Sequence, residues 1–518
     1  MTPRYSIVTP VYDPPLWALE ECIRSVLAQT SADWEWCIAD DCSPNAKVRE
    51  RLRKLAASDP RVKVEYRGQN GGIVKASNTA LSLATGEFVA LLDHDDSLSP
   101  DALKVMSEHI GTDPVVDYLY SDEDKIDQSG RRFDRFDKPD FAPERLRGQN
   151  YLCHFSVIRR TLVDEIGGFR DGFDGSQDYD LFLRVVEKAR RVVHVPQVLY
   201  HWRTVEGSTA VNVNSKPYVF ESARKAVEEH CIRTGLKANV SILPSGFIKC
   251  DRRPRTEPLV SIIIPTRGDR KRIWGLDTCL PANAIQSVLE KSTYPNIEIV
   301  LVHDRVASLD PDIEALTVDE RLSIVWYDKP FDFSDKCNVG FMASHGDVII
   351  LLNDDIEIET PEWIEVLIAH LEDGDVAMVG PMTRLEDGRI QSAGHGHIGG
   401  PHNLASGQDS DSFGPFGEIL IAREVSGVTG ACAAIPRSVY LELGGMSLAF
   451  PHSYNDVDFA LKALRAGYRN IWTPFARLWH FESLSRDPSV RSDEYEELYR
   501  RWGANADIDR YTPTALSA

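Results

Sequence analysis

Two short stretches of the sequence place apolar strand residues directly before clusters of carboxylates. Residues 87–100 read EFVALLDHDDSLSP, and residues 347–361 read DVIILLNDDIEIETP. Crowded carboxylates repel one another and add nothing to a hydrophobic core. They could cap a following helix, because Asp and Ser are favoured N-cap residues. They could also bind a hard divalent cation such as Mg²⁺ or Mn²⁺, which prefers oxygen ligands.

The two clusters belong to a longer internal repeat. Residues 78–95 align without a gap with residues 338–355, and the order of flanking segments is the same in both copies. The matched pairs are Pro10 with Pro265, Asp41 with Asp304, Asp95 with Asp355, Asp178 with Asp456 and, after one inserted residue, His201 with His480. An acid that only caps one helix would not need the other matched residues to recur at corresponding positions in a second copy. The repeat therefore favours metal binding over capping.

Each copy alternates apolar strand-like runs with segments of helical spacing. YSIVTPVY is a β-branched run, LWALEECIRSVLAQT has helical periodicity, and DWEWCIADD is a second strand that ends in acids. This alternation predicts an α/β fold with a mostly parallel sheet and helices on both faces. Ligands of such sheets bind at the carboxyl ends of the strands, where the acids lie.

Domain boundaries follow from the repeat and from a charged, proline-containing stretch, CDRRPRTEP, between the copies. The sequence predicts an N-terminal domain over 1–235, a linker over 236–257, a C-terminal domain over 258–505 and a tail over 506–518.

Composition excludes several classes of function. The chain has 518 residues, of which 42% are hydrophobic, and its net charge is −21. A nucleic-acid partner is disfavoured, because such proteins need a basic face to release counterions. Nine cysteines without a CxxC pair fit a reducing compartment. The apolar runs are too short for a membrane span or a signal peptide.

Together, these motifs resemble the inverting family 2 glycosyltransferases of the GT-A fold. DHD at 93–95 resembles their Asp-x-Asp metal motif, QDYDL at 177–181 resembles their catalytic acid motif, and LYHWR at 199–203 resembles their metal-contacting histidine segment. YSDEDKID and HVPQVLYHWR are similar to enzymes of bacterial O-antigen and surface-polysaccharide assembly. The second copy departs from the pattern, since Asn353 replaces the first acid of the metal motif.

The resemblance implies a bifunctional enzyme built from two tandem GT-A domains. It assigns Asp178 and Asp456 as general bases at helix N-termini, where the helix dipole keeps them ionised. The implied metal ligands are Asp95, His201, Asp355 and His480, with Mg²⁺ or Mn²⁺ as the cofactor. The implied donor-binding residues are Pro10, Asp41, Asp93, Pro265, Asp304, Asn353 and Asp354, of which Asp41 and Asp304 would accept a hydrogen bond from the nucleotide base.

The alternatives are a protein with one catalytic domain and one glycan-binding or scaffold domain, and a metal-dependent nucleotidyltransferase. The second would be expected to show a basic phosphate-binding signature near the N-terminus, which TPVYDPP is not. A separate group, His395, His397 and His402, could suggest zinc. It lacks a Cys or acid at matching spacing, which favours a flexible loop over the substrate.

The expected partners are nucleotide-diphospho-sugar donors and a glycan acceptor, which by resemblance is lipid-linked. Nucleotide-sugars are cytosolic, so the predicted location is cytoplasmic, with a weak, salt-sensitive peripheral association at the inner face of the cytoplasmic membrane. Other polysaccharide-assembly proteins would support that association, because a net charge of −21 opposes approach to an anionic leaflet.

Overall fold

A computed structural model describes residues 2–204, 217–305, 308–481 and 491–512. The described residues divide into two compact units, each mixed α/β. The first unit comprises Met1–Phe141, Leu146–Leu236 and Val240–Lys249, and the second comprises Ala142–Arg145, Lys237–Asn239 and Cys250–Ala518. The segment predicted as a linker contains two paired strands. The domain boundaries given above stay a prediction.

The strands up to residue 252 are β1 Tyr5–Val11, β2 Trp34–Asp40, β3 Val62–Tyr66, β4 Phe88–Leu91, β5 Ser97–Leu98, β6 Tyr118–Ile126, β7 Arg132–Phe136, β8 Ser156–Arg159, β9 Val192–Arg203, β10 Ala238–Ile242 and β11 Ile248–Arg252. The helices of this part are α1 Leu16–Leu27, α2 Ala46–Ser58, α3 Ile73–Ser82, α4 Ala102–Thr112, α5 Pro143–Gly148, α6 Arg160–Glu165, α7 Gln177–Val186 and α8 Pro217–Thr234.

The strands that follow are β12 Val260–Thr266, β13 Arg270–Ile273, β14 Leu276–Cys279, β15 Ile297–Asp304, β16 Leu322–Tyr327, β17 Val348–Leu352, β18 Ile356–Ile358, β19 Val376–Arg384, β20 Ile390–Ser392, β21 His395–Gly396, β22 His402–Asn403, β23 Arg423–Val425, β24 Cys432–Pro436 and β25 Arg469–His480. The helices are α9 Leu280–Lys291, α10 Pro311–Leu316, α11 Phe333–Ala343, α12 Trp363–Leu371, α13 Arg437–Glu442, α14 Asn455–Arg465 and α15 Ser492–Trp502, with 3-10 turns at Pro415–Gly417 and Gly503–Asp507.

The main sheets of the two units have the same strand order. The first runs β3-β2-β1-β4-β8-β6-β9-β5, and the second runs β16-β15-β12-β17-β24-β19-β25-β18. The first four strands of each order are parallel, whereas β8 and β24 are antiparallel to their neighbours. The predicted α/β class with parallel strands is therefore confirmed, and antiparallel strands extend each sheet.

Apolar strand residues and the inner faces of the helices form the cores. In the first unit, Ile7, Trp36 and Ala90 from the sheet pack with Leu19 and Met106 from helices. In the second unit, Ile262, Leu301 and Ile350 pack with Ile285 and Leu367 in the same way. The alternate strand residues are buried in separate clusters on the opposite face of each sheet. Burial on both faces explains why the runs read as continuously apolar.

A half-buried asparagine recurs on helices α3 and α11, which follow the repeat-related strands β3 and β16. Asn78 donates from Nδ2 to the carbonyl of Phe169 (2.8 Å) and accepts the N–H of the same residue (3.0 Å). Asn338 makes the same two bonds to Met446, each 2.9 Å. One amide side chain thus clasps both backbone groups of a residue that is distant in sequence.

Glycine is required where the fourth parallel strand of each unit begins. Gly86 and Gly346 donate to the hydroxyls of Ser6 (2.8 Å) and Ser261 (2.7 Å). A Cβ atom would lie 2.8 Å from the Ser6 nitrogen at the first position and 2.5 Å from the Leu259 carbonyl at the second. Both obstacles are backbone, which cannot rotate away.

We expect Gly86→Ala and Gly346→Ala each to lower the free energy of unfolding by about 1–3 kcal/mol, as overpacked substitutions do. Thermal unfolding followed by circular dichroism measures the effect. Gly111→Ala is the matched control, because nothing lies within 4 Å of its added Cβ in helix α4. It should be neutral or stabilising by up to about 1 kcal/mol. Equal effects at all three positions would contradict the steric argument.

Candidate active sites

Parallel strands bring the acidic residues of the first unit to one edge of the sheet. Strand β1 lies between β2 and β4, so the residues that follow these strands are neighbours. A small pocket at this edge is lined by side chains that include Pro10, Asp93, His154, Asp178 and Tyr200. Three predicted site residues, Pro10, Asp93 and Asp178, are therefore brought together.

The acids at residues 93–96 have different surroundings. Asp96 is buried and accepts hydrogen bonds from the Tyr200 hydroxyl (2.5 Å) and the Arg203 N–H (2.7 Å). Burial raises the pKa of Asp93, and the nearby positive charge of His154 opposes that shift. The Asp95 side chain is 21% exposed, and its Oδ1 lies 3.9 Å from His94 Nε2. Asp96 is thus committed to the fold, while Asp93 and Asp95 remain available to a ligand.

His154 is a site residue that the sequence did not reveal. Its Nδ1 lies 3.0 Å from Glu123 Oε2, and its ring stacks on Tyr200 and packs against Trp202. Burial alone would lower the pKa of His154, but the bonded carboxylate of Glu123 and the charges of Asp96 and Asp93 outweigh burial and raise it to about 9. The imidazole is therefore a cation at neutral pH. It faces the acids of the pocket, where it offsets their repulsion.

Asp178 is the second residue of helix α7, as predicted, and its carboxylate is held at two atoms. Oδ1 accepts the N–H of Tyr179 (2.8 Å), and Oδ2 accepts from the Asn150 amide (3.0 Å). Burial raises the pKa of Asp178, while the charge of His154 and these two hydrogen bonds oppose the rise. The expectation that the helix dipole keeps Asp178 ionised stays a prediction.

Two other predicted residues of the first unit have structural partners. Both oxygens of Asp41 accept backbone N–H bonds from the segment that leads into helix α3, and Arg67 Nε lies 2.7 Å from Oδ1. His201 places Nδ1 2.6 Å from Asp124 and Nε2 3.1 Å from Ser99. The structure does not bring His201 and Asp95 together through a hydrogen bond or ion pair. A metal role for His201 would require one of its bonds to break, and that role stays a prediction.

One group of three metal-ligand side chains has its ligand atoms within 4.8 Å in the described residues: Glu123, Cys153 and His154. Glu123 is also paired with the buried ammonium of Lys138 (3.1 Å). Burial raises the pKa of the Cys153 thiol, which disfavours a thiolate ligand. The group is therefore better described as the support that holds His154.

The acidic cluster of the second unit is more deeply buried. Asp354 accepts a hydrogen bond from the Thr266 hydroxyl (2.5 Å), and Asp355 Oδ1 lies 3.2 Å from His480 Nε2. Burial and the charge of Asp355 raise the pKa of Asp354 to about 7. Asn353 precedes the pair, and its N–H donates to Ala431. The two residues predicted as metal ligands, His480 and Asp355, thus lie side by side, and their metal role stays a prediction.

The strand register corrects the sequence alignment that matched His201 with His480. His480 pairs with Ile356 across β25 and β18, whereas His201 pairs with Ser97 across β9 and β5. Ile356 is the repeat partner of Asp96, so the histidines lie one residue apart in the aligned strands. The inserted residue of the sequence alignment is therefore absent, and Trp202 occupies the position of His480. Neighbouring strand residues point to opposite faces, which explains their different partners.

Asp304 of the second unit has a different partner from Asp41. It lies 2.5 Å from the ammonium of Lys336, which is buried in helix α11 and also donates to the Thr266 carbonyl (2.5 Å). Pro265 lies beside these residues in β12. Lys336 occupies the repeat position of Ala76, so the alignment contained the signal, but no motif drew attention to it.

Asp456 is the second residue of helix α14, as Asp178 is of α7. Its Oδ1 accepts the N–H of Val457 and its Oδ2 accepts the N–H of Gly430, both at 2.8 Å. His395 Nε2 lies 3.9 Å from Oδ2. His395 and His397 are buried in the segment expected to be a flexible loop, which instead contains short strands β20 to β22.

A family model described as glycosyl transferase family 2 matches residues 6–167 and 261–444. An uncharacterized protein of Sinorhizobium fredii, y4gI, is 38% identical over 96% of this chain and 56% of its own length. An O-antigen biosynthesis protein of Myxococcus xanthus, RfbC, is 34% identical over 96% of this chain and 39% of its own length. The chain thus spans about half or less of these relatives.

Among solved structures, Staphylococcus aureus TarS 1–349 in complex with UDP matches 44% of this chain and 65% of its own, at 22% identity and a TM-score of 0.35.

Proposed function

Because the chain belongs to glycosyl transferase family 2, we propose that each of its two units transfers a sugar from a nucleotide-diphospho-sugar donor to a glycan acceptor. The observation that carries the proposal is a shared arrangement. In each unit an aspartate, Asp178 or Asp456, is the second residue of a helix. In each unit, acids also follow the carboxyl ends of the parallel strands of the main sheet.

The base in each unit is held ready to remove the proton of an acceptor hydroxyl. Asp178 and Asp456 each keep one oxygen on the N–H of the next residue, which fixes the carboxylate orientation. Burial raises the pKa of Asp178, and a stronger base takes a proton more readily, while His154 favours its ionised form. A single displacement by the activated hydroxyl inverts the configuration of the transferred sugar.

The residues present fit a divalent cation. Two adjacent carboxylates are buried in the second unit, and burial together with the charge of Asp355 raises the pKa of Asp354. Within the described residues, Asp355 Oδ1 accepts no hydrogen bond, and His480 Nε2 lies 3.2 Å from it. Asp93 and Asp95 would hold the cation in the first unit, and Asp354, Asp355 and His480 in the second. When bound, Mg²⁺ or Mn²⁺ supplies neutralisation of the departing diphosphate.

The acceptor is proposed to be a growing surface polysaccharide, attached to a lipid carrier. The support is the similarity to the O-antigen biosynthesis protein of Myxococcus xanthus, together with the sequence motifs described above. The proposed location is the cytoplasm, with peripheral attachment at the membrane. No helix in the described part of the chain combines the length and hydropathy needed to cross a bilayer.

Release of nucleoside diphosphate from a panel of nucleotide-sugars, with mass analysis of the extended acceptor, tests the proposal. We expect at least one donor to release nucleoside diphosphate, and the acceptor mass to grow by the matching sugar residue. A nucleotidyltransferase would instead release pyrophosphate from nucleoside triphosphates. That product, with no release from any sugar donor, would overturn the proposal.

A further inference from the structure

The two units hold their proposed bases through different groups. In the first unit, Asn150 Nδ2 donates to Asp178 Oδ2 at 3.0 Å. Strand pairing fixes the counterpart of Asn150, because Phe88 pairs with Arg159 and its repeat partner Val348 pairs with Pro436. Counting back nine residues from Arg159 and from Pro436 places Gly427 at the position of Asn150. The second unit therefore has no side chain where the first has its amide.

The ring of His395 lies beside that glycine. The backbone N–H of His395 donates to the Gly427 carbonyl (2.8 Å). A Cβ atom on Gly427 would lie 3.2 Å from Nδ1 of the His395 ring. His395 Nε2 lies 3.9 Å from Asp456 Oδ2. The His395 ring thus lies next to the glycine that replaces Asn150, and near the carboxylate of Asp456.

The His395 ring is also incompletely bonded. The residue is 5% exposed, and Nδ1 has no hydrogen-bond partner within the part of the chain that the structure describes. Asp456 Oδ2 already accepts the Gly430 N–H, but a carboxylate oxygen has a second lone pair. A shift of about 1 Å would bring Nε2 into hydrogen-bond range of Oδ2, and such bonds often tighten only when substrate binds.

The geometry points to His395 as the positioning residue of Asp456, the counterpart of Asn150 for Asp178. The inference rests on the proposed role of Asp456 as the base. His395 donates from Nε2 to the carboxylate and fixes the oxygen that faces the acceptor hydroxyl. Its neutral imidazole performs this role without adding a charge. Burial lowers the pKa of His395, the charge of Asp456 opposes that shift, and His402 adds to it.

The test compares His395→Leu with His395→Gln in the full chain, with kcat and KM measured for the linkage that Asp456→Asn abolishes. Leucine fills the space without a donor, and glutamine places an amide nitrogen near the position of Nε2. We expect kcat to fall 10- to 100-fold in the leucine variant, to return to within about 3-fold of the parent in the glutamine variant, and KM to stay within 2-fold throughout.

His345→Leu is the control, since this histidine of the same unit is 78% exposed and lies apart from the site residues. Equal kcat values for the leucine and glutamine variants, whether both normal or both reduced, would overturn the inference. The proposed function fails separately, if Asp456→Asn leaves both linkages intact. Thermal unfolding of each variant identifies any loss of kcat that comes from a loss of folded protein.

Discussion

Asp178→Asn is expected to abolish one glycosidic linkage of the product, and Asp456→Asn the other, with rates of the affected step reduced by roughly 10²- to 10⁴-fold. Asparagine has nearly the same shape as aspartate but cannot accept the proton of the acceptor hydroxyl. The amide oxygen can keep the hydrogen bonds from Tyr179 and Val457. The amide nitrogen cannot accept the bonds that Asn150 and Gly430 donate to the second oxygen, so thermal unfolding of each variant measures that cost separately. Mass and linkage analysis of the products from each variant measures the effect.

Asp171→Asn serves as the matched control, because Asp171 is exposed and lies seven residues before Asp178. It should leave both linkages unchanged. Identical truncated products from the Asp178 and Asp456 variants would mean that one unit is idle or redundant. In that case the protein would have one catalytic unit and one glycan-binding or scaffold unit, and the bifunctional proposal would be rejected.

Asp95→Ala combined with Asp355→Ala is expected to remove cation-dependent release of nucleoside diphosphate and to weaken Mn²⁺ binding at least 10-fold. Each substitution removes one oxygen donor from a cluster of acids that repel one another without a cation. Mn²⁺ binding is followed by electron paramagnetic resonance of the free ion, which requires no substrate. Chelation of divalent ions by EDTA should lower release in the parent protein to the same level.

Glu87→Ala with Asp347→Ala is the control for this pair. These exposed acids lie just before β4 and β17, at the opposite end of the strands that lead to Asp95 and Asp355. The control removes the same number of charges from the same strands. If both double variants bound Mn²⁺ as the parent does, or if release persisted without Asp95 and Asp355, the metal assignment would be wrong.

Much of the fold was predictable because local patterns and the repeat agree. Continuous apolar runs such as VIILL predict buried parallel strands, and the acids that follow them must then meet at one edge. Asp178 and Asp456 were assigned by family resemblance, and the helical spacing of the residues that follow them predicted their place at helix starts. These features depend on short segments whose periodicity is visible in the sequence.

Features that depend on side chains from separate segments were not predictable. His154 lies on no motif, and its repeat partner Ala431 gives no signal, so its role appears only when Glu123 and the acids surround it. The sequence alignment of His201 with His480 was wrong by one residue. Because adjacent strand residues point to opposite faces, this shift places the two histidines on different faces of the sheet. Lys336 and His395 act through contacts between elements that no spacing rule connects.

The paired backbone hydrogen bonds of Asn78 and Asn338, called the clasp here, indicate a position where segments of the two units could be exchanged. From Phe169 and Met446 the asparagines take only the backbone N–H and carbonyl, so the partner side chain is not selected. Asn338 Oδ1 also accepts the Tyr440 hydroxyl (2.8 Å). A crossover placed at this residue would join two segments through bonds that any amino acid except proline supplies. Chimeras that exchange the segments carrying Asp178 and Asp456 at this junction would keep the clasp intact.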